Sequence, residues 1–235
     1  MRLSEIWNKK GTKKLSLLKV LAPVALLTFT IVFLTFYGVN TGNFSIGVSS
    51  NAYDRNISIS ITPDSNENKK TIYVNSRNLL PINLLTVESQ LDEITTTDGE
   101  YKGKYSRNIV AYSFYIKNES SSLSFDLAYS ILLRDIKKYQ DEIRYIKIMV
   151  ISDDEKTIYQ SSLSEKKYQD DYSYYDFDEN AKEIVVGKPK IISARSERKY
   201  TILFWYDGDE MVNANINKND ILESLKFQIN FEIVD

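Results

Sequence analysis

The chain of 235 residues contains no cysteine and no histidine. Without cysteine it forms no disulfide, so we expect its stability to come from burial of apolar surface. The two absences together exclude Ser-His-Asp and Cys-His nucleophiles, thiolate chemistry and ordinary zinc ligation. Carboxylate pairs and Ser-Lys dyads remain, but no spacing in the sequence singles out one of them. We therefore expect a protein that is not an enzyme.

A strong excess of one charge is also missing, because 30 basic residues stand against 32 acidic ones. This balance conceals an asymmetry: residues 1–14 are basic, and the long remainder of the chain is mildly acidic. A nucleic-acid-binding protein needs a basic face for the phosphates, and an acidic domain does not supply one. The sequence predicts no nucleic-acid partner.

The most prominent feature that is present is an apolar run over residues 15–39, in which residues 20–39 carry no charge. About twenty helical residues cover the roughly 30 Å hydrocarbon core of a bilayer. Lysines precede the run, and no basic residue follows it until Arg55, so the positive-inside rule places the N-terminus in the cytoplasm. A cleaved signal peptide is the alternative, but the exit lacks a small-x-small pattern. We predict a cytoplasmic tail (1–14), a transmembrane signal anchor (15–39) and an extracellular domain (40–235). The protein is thus predicted to be a single-pass protein of the cell membrane, with the membrane as a partner.

Beyond residue 40 the apolar period changes from helical to two, which is typical of half-buried strands. Clear alternation covers residues 44–48, 57–61, 123–133 and 225–233. Two further runs are apolar on both faces, as expected of central strands covered on two sides, and these are residues 109–117 and 143–151. Weaker strands are predicted at residues 71–74 and 83–87, and further strands at residues 156–160, 184–186 and 200–206.

The segments between these strands are predicted from their polarity. The polar residues 118–122 favour a hairpin connection between the strands on either side. Residues 134–142 have apolar spacings of three and four and favour a short helix, and residues 161–180 favour a long loop. Glycine numbers only 8, which argues against propellers and repeat barrels. The prediction is an all-β domain built as a two-sheet sandwich, of jelly-roll or immunoglobulin-like type, preceded by one transmembrane helix.

Four stretches carry a family resemblance. They are GNFSIGV at residues 42–48, FYIKNESSSLSFDL at 114–127, DEIRYIKIMVI at 141–151 and FWYDGDE at 204–210. In this order, after an N-terminal span, they resemble the camelysin and TasA-type surface proteins of Firmicutes. The resemblance implies a jelly-roll domain at the cell surface that assembles into fibres by strand exchange. The chain departs from the family in lacking the cleavage site by which fibre-forming members release their N-terminus and the histidines that ordinarily hold zinc.

The segment YQDDYSYYDFDE at residues 168–179 is the first candidate site, because acids and aromatics are concentrated there. Tyrosine rings stack on sugars and on partner proteins. The alternative is a solvated loop whose tyrosines cover the edge of the sandwich. The candidate binding residues are tyrosines of this segment and one tryptophan, for which packing in the core or at an edge is the favoured alternative: Tyr168, Tyr172, Tyr174, Tyr175 and Trp205.

Oxygen ligands for calcium are the second candidate. Asp176 and Asp178 echo the first ligands of a calcium loop, but Ala181 stands where that loop needs glycine, and Gly187 where it needs an acid. The other candidates, Asp207 and Asp209, flank Gly208 in a sequence that favours a turn. We expect no cofactor, with calcium as the one metal to consider.

Composition and pattern favour a structural, adhesive or matrix-assembly role at the cell surface, exerted by self-assembly or contact with protein partners through sheet edges. The alternative is a binding module for cell-wall glycan or a small ligand, with the aromatic residues as its platform. A sensor subunit is a third, weaker alternative, because the short tail leaves little with which to signal.

Overall fold

The computed structural model describes residues 44–63, 66–75, 78–134, 143–164, 172–178, 181–214 and 226–234, all of them within the compact unit Asn43–Asp235. The predicted cytoplasmic tail and transmembrane segment lie outside these ranges, so both stay predictions. Within the described ranges, no helix combines the length and the apolar character that crossing a membrane requires.

The described elements are mostly strands. The strands are β1 (Phe44–Val48), β2 (Ile57–Ser60), β3 (Thr71–Val74), β4 (Gly99–Glu100), β5 (Val110–Asn118), β6 (Phe125–Leu133), β7 (Ile146–Ser152), β8 (Glu155–Gln160), β9 (Ser173–Asp176), β10 (Glu183–Val186), β11 (Lys190–Ile192), β12 (Ser196–Tyr206) and β13 (Phe227–Ile233). The helices are α1 (Ser50–Asp54), α2 (Leu84–Glu88), α3 (Leu91–Thr96), α4 (Gly208–Asn213) and a 3-10 turn at Ile143–Tyr145.

The strands form two sheets that pack face to face as a sandwich, which confirms the predicted two-sheet all-β domain. Sheet A has the order β10-β6-β13-β1-β3, and β11 lies beside β10 along β6. Sheet B has the order β2-β5-β12-β7-β8-β9, and β4 pairs with β5. Most pairs are antiparallel; β1 with β13 and β8 with β9 are parallel. Strands far apart in sequence are therefore neighbours.

Sheet A is buried on one face only, and buried residues therefore alternate with more exposed ones along its strands. Phe227, Ile229 and Phe231 of β13 are buried between the sheets, and the residues between them are half-buried or exposed. The same alternation occurs in β1 and β6. Because successive side chains of a strand point to opposite faces, the two-residue period predicted these strands correctly.

Sheet B is buried on both faces. Ile202 and Phe204 of β12 point into the core between the sheets, whereas Leu203 and Trp205 join a second apolar cluster on the outer side. Helices α2 and α3 cover that second cluster with buried leucine, valine and isoleucine side chains. The continuous apolar runs of β5 and β7 are explained by this double burial, as the sequence predicted.

The predicted hairpin at residues 118–122 is wrong. β5 belongs to sheet B and β6 to sheet A, so the connection crosses from one sheet to the other. Asn118 holds the corner: its Nδ2 donates to the carbonyls of Leu123 (2.7 Å) and Ile192 (3.2 Å), and its Oδ1 accepts from the amide of Ser120 (3.0 Å). The buried amide thus satisfies backbone groups that a sheet ladder would otherwise pair.

Three local predictions also need correction. Residues 83–87, predicted as a weak strand, form helix α2, capped by the Asn83 side chain accepting from the amide of Thr86 at 2.9 Å. The predicted loop at 161–180 contains strand β9. The predicted Asp207-Gly208 turn is the start of helix α4, in which Asp207 is the N-cap. The helix predicted over residues 134–142 falls almost wholly on 135–142, outside the described ranges.

Candidate functional site

A cleft opens where one edge of each sheet comes together, between β9 of sheet B and the β10 and β11 edge of sheet A. Its cavity measures about 50 Å³. Four tyrosines line it, and we call it the tyrosine cleft after Tyr129, Tyr159, Tyr175 and Tyr200. The position matters because the same side of the sandwich presents the cleft together with two sheet edges.

The floor of the cleft is a cluster of buried phenols. The hydroxyls of Tyr129 and Tyr159 hydrogen-bond at 2.8 Å, with the two rings edge to face and their centroids 6.4 Å apart. Tyr200 packs edge-on against Tyr129 at the same separation of 6.4 Å. Burial raises the pKa of all three hydroxyls above the ordinary tyrosine value. They are therefore neutral at physiological pH and act as both donors and acceptors.

The rim of the cleft carries charge. Lys188 lies over the ring of Tyr175 at 5.2 Å, and the hydrogen bond to the Tyr175 hydroxyl raises the pKa of this exposed lysine. On the other side Lys190 pairs with Glu155 at 2.8 Å, and the hydrogen bond from Lys190 lowers the pKa of that carboxyl. Both charge signs are thus present at the mouth at neutral pH.

A tight turn places Glu155 at this mouth. The β7–β8 hairpin turns through Asp153 and Asp154, whose φ angles of 52° and 63° lie in the left-handed region. Two-residue hairpin loops of this kind match the right-handed twist of the strands, and aspartate tolerates the conformation better than most residues. Arg198 of β12 pairs with Asp153 at 3.0 Å and ties the turn to the neighbouring strand. The Asp153-Asp154 turn and its ion pair with Arg198 therefore fix the position of Glu155, the first residue of β8.

Gly187 lets the chain pass close to the floor of the cleft. Its amide donates to the carbonyl of Tyr129 at 2.7 Å, and a Cβ at this position would lie 2.4 Å from atoms of the Tyr129 ring. A methyl group cannot occupy that space while the ring keeps its place. The glycine is therefore required by packing, and it fixes β10 against the tyrosine cluster.

The predicted tyrosines divide between two faces of β9. Tyr175 points into the tyrosine cleft and is 38% exposed. Tyr172 and Tyr174 pack against the second apolar cluster on the other side of sheet B, with their ring centroids 6.3 Å apart. Tyr168 lies outside the described residues. Because neighbouring strand residues face opposite ways, the segment does not present its tyrosines as one platform.

Trp205 and Asp207 lie away from the tyrosine cleft. With Tyr174 they line a second, smaller cavity of about 10 Å³ on the outer side of sheet B. Trp205 is 2% exposed and belongs to the second apolar cluster, as its packing alternative predicted. The Asp207 carboxylate accepts from the amides of Asp209 (2.9 Å) and Glu210 (3.3 Å), which fits its role as the cap of α4.

The aspartates proposed as calcium ligands are not brought together into one group. Asp176 ends β9 and Asp178 follows it, whereas Asp207 and Asp209 begin helix α4. Over the part of the chain that the structure describes, no three histidine, cysteine or acidic side chains converge in a way that could hold a metal ion. Two of these aspartates have local backbone roles: Asp207 caps α4, and Asp178 accepts from the amide of Ala181 at 3.2 Å.

Sequence reasoning missed the floor of the cleft. Tyr129, Tyr159 and Tyr200 come from β6, β8 and β12, and each appeared only as an apolar member of a predicted strand. A signal existed in retrospect: tyrosine, unlike phenylalanine, brings a hydroxyl that needs a partner when buried. Which tyrosines meet depends on how the two sheets are packed, and strand periodicity does not give that.

The chain was compared with models of protein families, with curated proteins and with solved structures, and none of them matches it. The features of the molecule that bear on function are therefore the two sheet edges and the cleft between them.

Proposed function

We propose that the protein is a cell-surface module, held by one membrane helix, that acts by protein–protein contact in a structural, adhesive or matrix-assembly role. The support for its placement is the sequence: a basic leading end, an uncharged run of membrane-spanning length and an acidic domain without cysteine. The proposed topology puts residues 1–14 in the cytoplasm and the sandwich outside. The sandwich is proposed to be of the jelly-roll or immunoglobulin-like type, and the role is not enzymatic.

The observation that carries this proposal is a pair of sheet edges on one side of the sandwich. β9 ends sheet B, β10 and β11 end sheet A, and in the described residues no further strand pairs with any of them. The unpaired backbone groups of an edge strand are a template for pairing with another chain. We call this side the edge face, defined by β9, β10 and β11.

The exposed side chains of the edge face favour a protein partner. Val186 of β10 and Ile191 of β11 are 67% and 61% exposed, and Tyr175 of β9 lines the tyrosine cleft together with Val186. Apolar side chains next to an aromatic ring and a lysine are typical of the core and rim of a protein interface. The resemblance to camelysin and TasA-type proteins points the same way, since that group assembles at the cell surface.

The size of the cleft argues against a whole small molecule as the principal ligand. Ligand pockets usually enclose about 300–1,000 Å³, whereas the tyrosine cleft measures about 50 Å³. A cleft of this size admits a single functional group or side chain of a larger partner. The tyrosine cleft is thus best understood as the part of the edge face that receives one projecting group.

The test is association of the full chain in detergent, followed by sedimentation velocity over a range of concentrations. We expect the wild-type chain to assemble, and the variant carrying Val186→Asp with Ile191→Asp to stay monomeric, because both charges would be buried at the contact. Tyr73→Asp is the matched control, since Tyr73 is 53% exposed on β3 at the opposite edge of sheet A. A wild-type chain that stays monomeric and fails to retain cells on a protein-coated surface would contradict the proposal.

A second candidate function is binding of a cell-wall glycan or a small ligand, and the exposed ring of Tyr175 with Lys188 above it is the observation that favours it. Aromatic faces next to hydrogen-bonding groups bind sugars by stacking. In this case the chain is expected to remain on insoluble cell wall and to be released by free sugar. Tyr175→Ala would abolish that retention, whereas the assembly proposal predicts no release by sugar.

A further inference from the structure

Three polar side chains form a buried cluster on the outer side of sheet B, on the face opposite the tyrosine cleft. The ammonium nitrogen of Lys147 lies 3.0 Å from Oε1 of Gln160 and 2.6 Å from Oε1 of Glu210. The three residues are 3%, 1% and 5% exposed. An amine, a carboxamide and a carboxylic acid are therefore in direct contact in a site that bulk water does not reach.

The fold places these groups in register. The tight β7–β8 turn makes Lys147 the direct cross-strand neighbour of Gln160, so their side chains leave the sheet on the same face. Glu210 comes from α4, whose first turn is fixed by the Asp207 cap. Each partner thus belongs to a different rigid element, and the contact is set by backbone pairing rather than by flexible loops.

The amide of Gln160 is incompletely used. Its Oε1 accepts from Lys147, but Nε2 is buried and has no hydrogen-bond partner among the described residues. A buried donor without a partner costs stability, and a buried lysine does so as well unless its charge is paired or lost. The cavity beside the cluster is lined by Trp205 and Ile158, with the Asp207 carboxylate as a further charged neighbour. A non-covalent contact leaves Nε2 of Gln160 without a partner, and it keeps the desolvation cost of the buried Lys147–Glu210 ion pair.

We propose that Lys147 and Gln160 become joined by an isopeptide bond, with Glu210 transferring the protons. The Lys147 ammonium first gives a proton to the Glu210 carboxylate. The neutral amine then attacks Cδ of Gln160 while the Glu210 carboxyl protonates Oε1, and the carboxylate so formed takes a proton from Nζ. The bond between Cδ and Nε2 breaks as Glu210 gives that proton to the leaving nitrogen and takes back the proton on Oε1 when the carbonyl re-forms. The products are one secondary amide and one ammonia molecule, so the step needs no oxidant, reductant or other co-reactant.

The environment of the cluster suits this reaction. Burial raises the pKa of the Glu210 carboxyl, against the opposing effect of Lys147, so the acid holds a proton more readily than a surface glutamate. Transfer of a proton from the ammonium to this acid replaces a buried charge pair with two neutral groups. The neutral amine is the nucleophilic form, and its contact with the amide supplies the proximity that the reaction needs.

The bond would supply a covalent link in a chain that has no cysteine for disulfides. It would join β7 to β8, the strand that carries Tyr159 of the cleft floor and pairs with the edge strand β9. The inference does not depend on the proposed function, because the reaction uses only groups on the opposite side of sheet B.

The test is the intact mass of the purified full chain after denaturation, followed by digestion with trypsin. We expect a mass lower than the sequence mass by one ammonia molecule. Trypsin should fail to cleave after Lys147, and a branched peptide should join residues 145–156 to residues 157–166 through Lys147 and Gln160. The branched peptide separates this bond from ammonia loss at an asparagine elsewhere in the chain.

Glu210→Gln keeps the size of the side chain but removes the proton carrier, so this variant should show the full mass and cleavage after Lys147. Glu155→Gln is the matched control, because Glu155 also pairs with a lysine, at 2.8 Å, and should leave the ammonia loss unchanged. A wild-type chain with its full mass and a free Lys147 would mean that the cluster is an ion pair only and would overturn the proposal. The same branched peptide in Glu210→Gln would overturn the role of the acid. Because the wild-type mass decides the main point, a variant that fails to fold does not weaken the test.

Discussion

The hydroxyl pair on the floor of the tyrosine cleft gives a sharp prediction. Tyr159→Phe removes one hydroxyl and deprives the Tyr129 hydroxyl, 2.8 Å away, of its partner. Tyr129 is only 7% exposed, so water does not readily replace the lost bond. A buried hydroxyl left unsatisfied costs about 1–3 kcal/mol, whereas removing both partners is close to neutral. We expect Tyr159→Phe and Tyr129→Phe each to lower the free energy of unfolding by about 1–3 kcal/mol.

The assay is urea unfolding of the compact unit Asn43–Asp235, with linear extrapolation of the free energy for wild type, both single variants and the double variant. The double variant should lose less than the sum of the two single losses, with a coupling of about 1–2 kcal/mol, since the singles each leave an orphaned hydroxyl. Tyr73→Phe on β3 is the control, and with Tyr73 53% exposed it should change the free energy by no more than about 0.5 kcal/mol.

Two results would refute this reasoning. One is a pair of single variants that both stay within about 0.5 kcal/mol of wild type, the range of neutral surface changes. The other is strict additivity in the double variant, which would show that the two hydroxyls do not depend on one another. Either result would mean that the phenols of the cleft are solvated, and the cleft floor would have to be described as open.

Three further predictions concern the same sandwich. Gly187→Ala should lower the free energy of unfolding by about 1–3 kcal/mol, and with it the melting temperature, because the added Cβ would overlap the Tyr129 ring. An unchanged melting temperature would contradict the close packing. Glu155→Gln should remove a pH dependence of stability. Because the pKa of the Glu155 carboxyl is lower in the folded state than its ordinary value of 4.5, ionised Glu155 stabilises the fold above pH 4.5, and this stabilisation is lost as the pH falls through the folded pKa. The melting temperature of the wild type should therefore fall more steeply below pH 4.5 than that of the variant. Phe231→Ala should cost about 3–5 kcal/mol in urea unfolding, since the ring is fully buried between the sheets; a loss under about 1 kcal/mol, the typical value for any mutation, would show that the core is misplaced.

The strands of sheet A could be predicted because a strand buried on one face alternates apolar and polar residues along the sequence. Phe227, Ile229 and Phe231 show this most plainly, and the strand predicted over residues 225–233 contains β13 and ends at the same residue. The central strands β5 and β7 were equally predictable, because both faces of sheet B are covered. In both cases the signal is local, so one sequence is enough to reveal it.

The connections were harder, because their structure depends on distant partners. The polar residues after Asn118 have the composition of a hairpin, but the amide of Asn118 hydrogen-bonds the carbonyl of Ile192, far along the chain, and the segment crosses between sheets. Residues 84–88 are apolar enough for a strand, yet the Asn83 cap and the need to cover sheet B make them a helix. Tertiary burial overrides local preference in such segments.

The candidate site was only partly predictable. The tyrosine-rich segment was found from its composition, but its strand character divides Tyr174 and Tyr175 between two faces of β9. The sequence does not distinguish Lys147 and Gln160 from other strand residues, because a lysine in a strand is ordinarily exposed at the surface. Their contact follows from the register of β7 and β8, which only the three-dimensional arrangement supplies.

The measurement that tests the central claim most directly is hydrogen exchange of the full chain, compared between its dispersed and its assembled or partner-bound state. The account predicts that backbone amides of β9, β10 and β11 become protected on association, while those of β3, at the far edge of sheet A, do not change. Protection that appears at β3 and leaves the edge face unchanged would contradict the account.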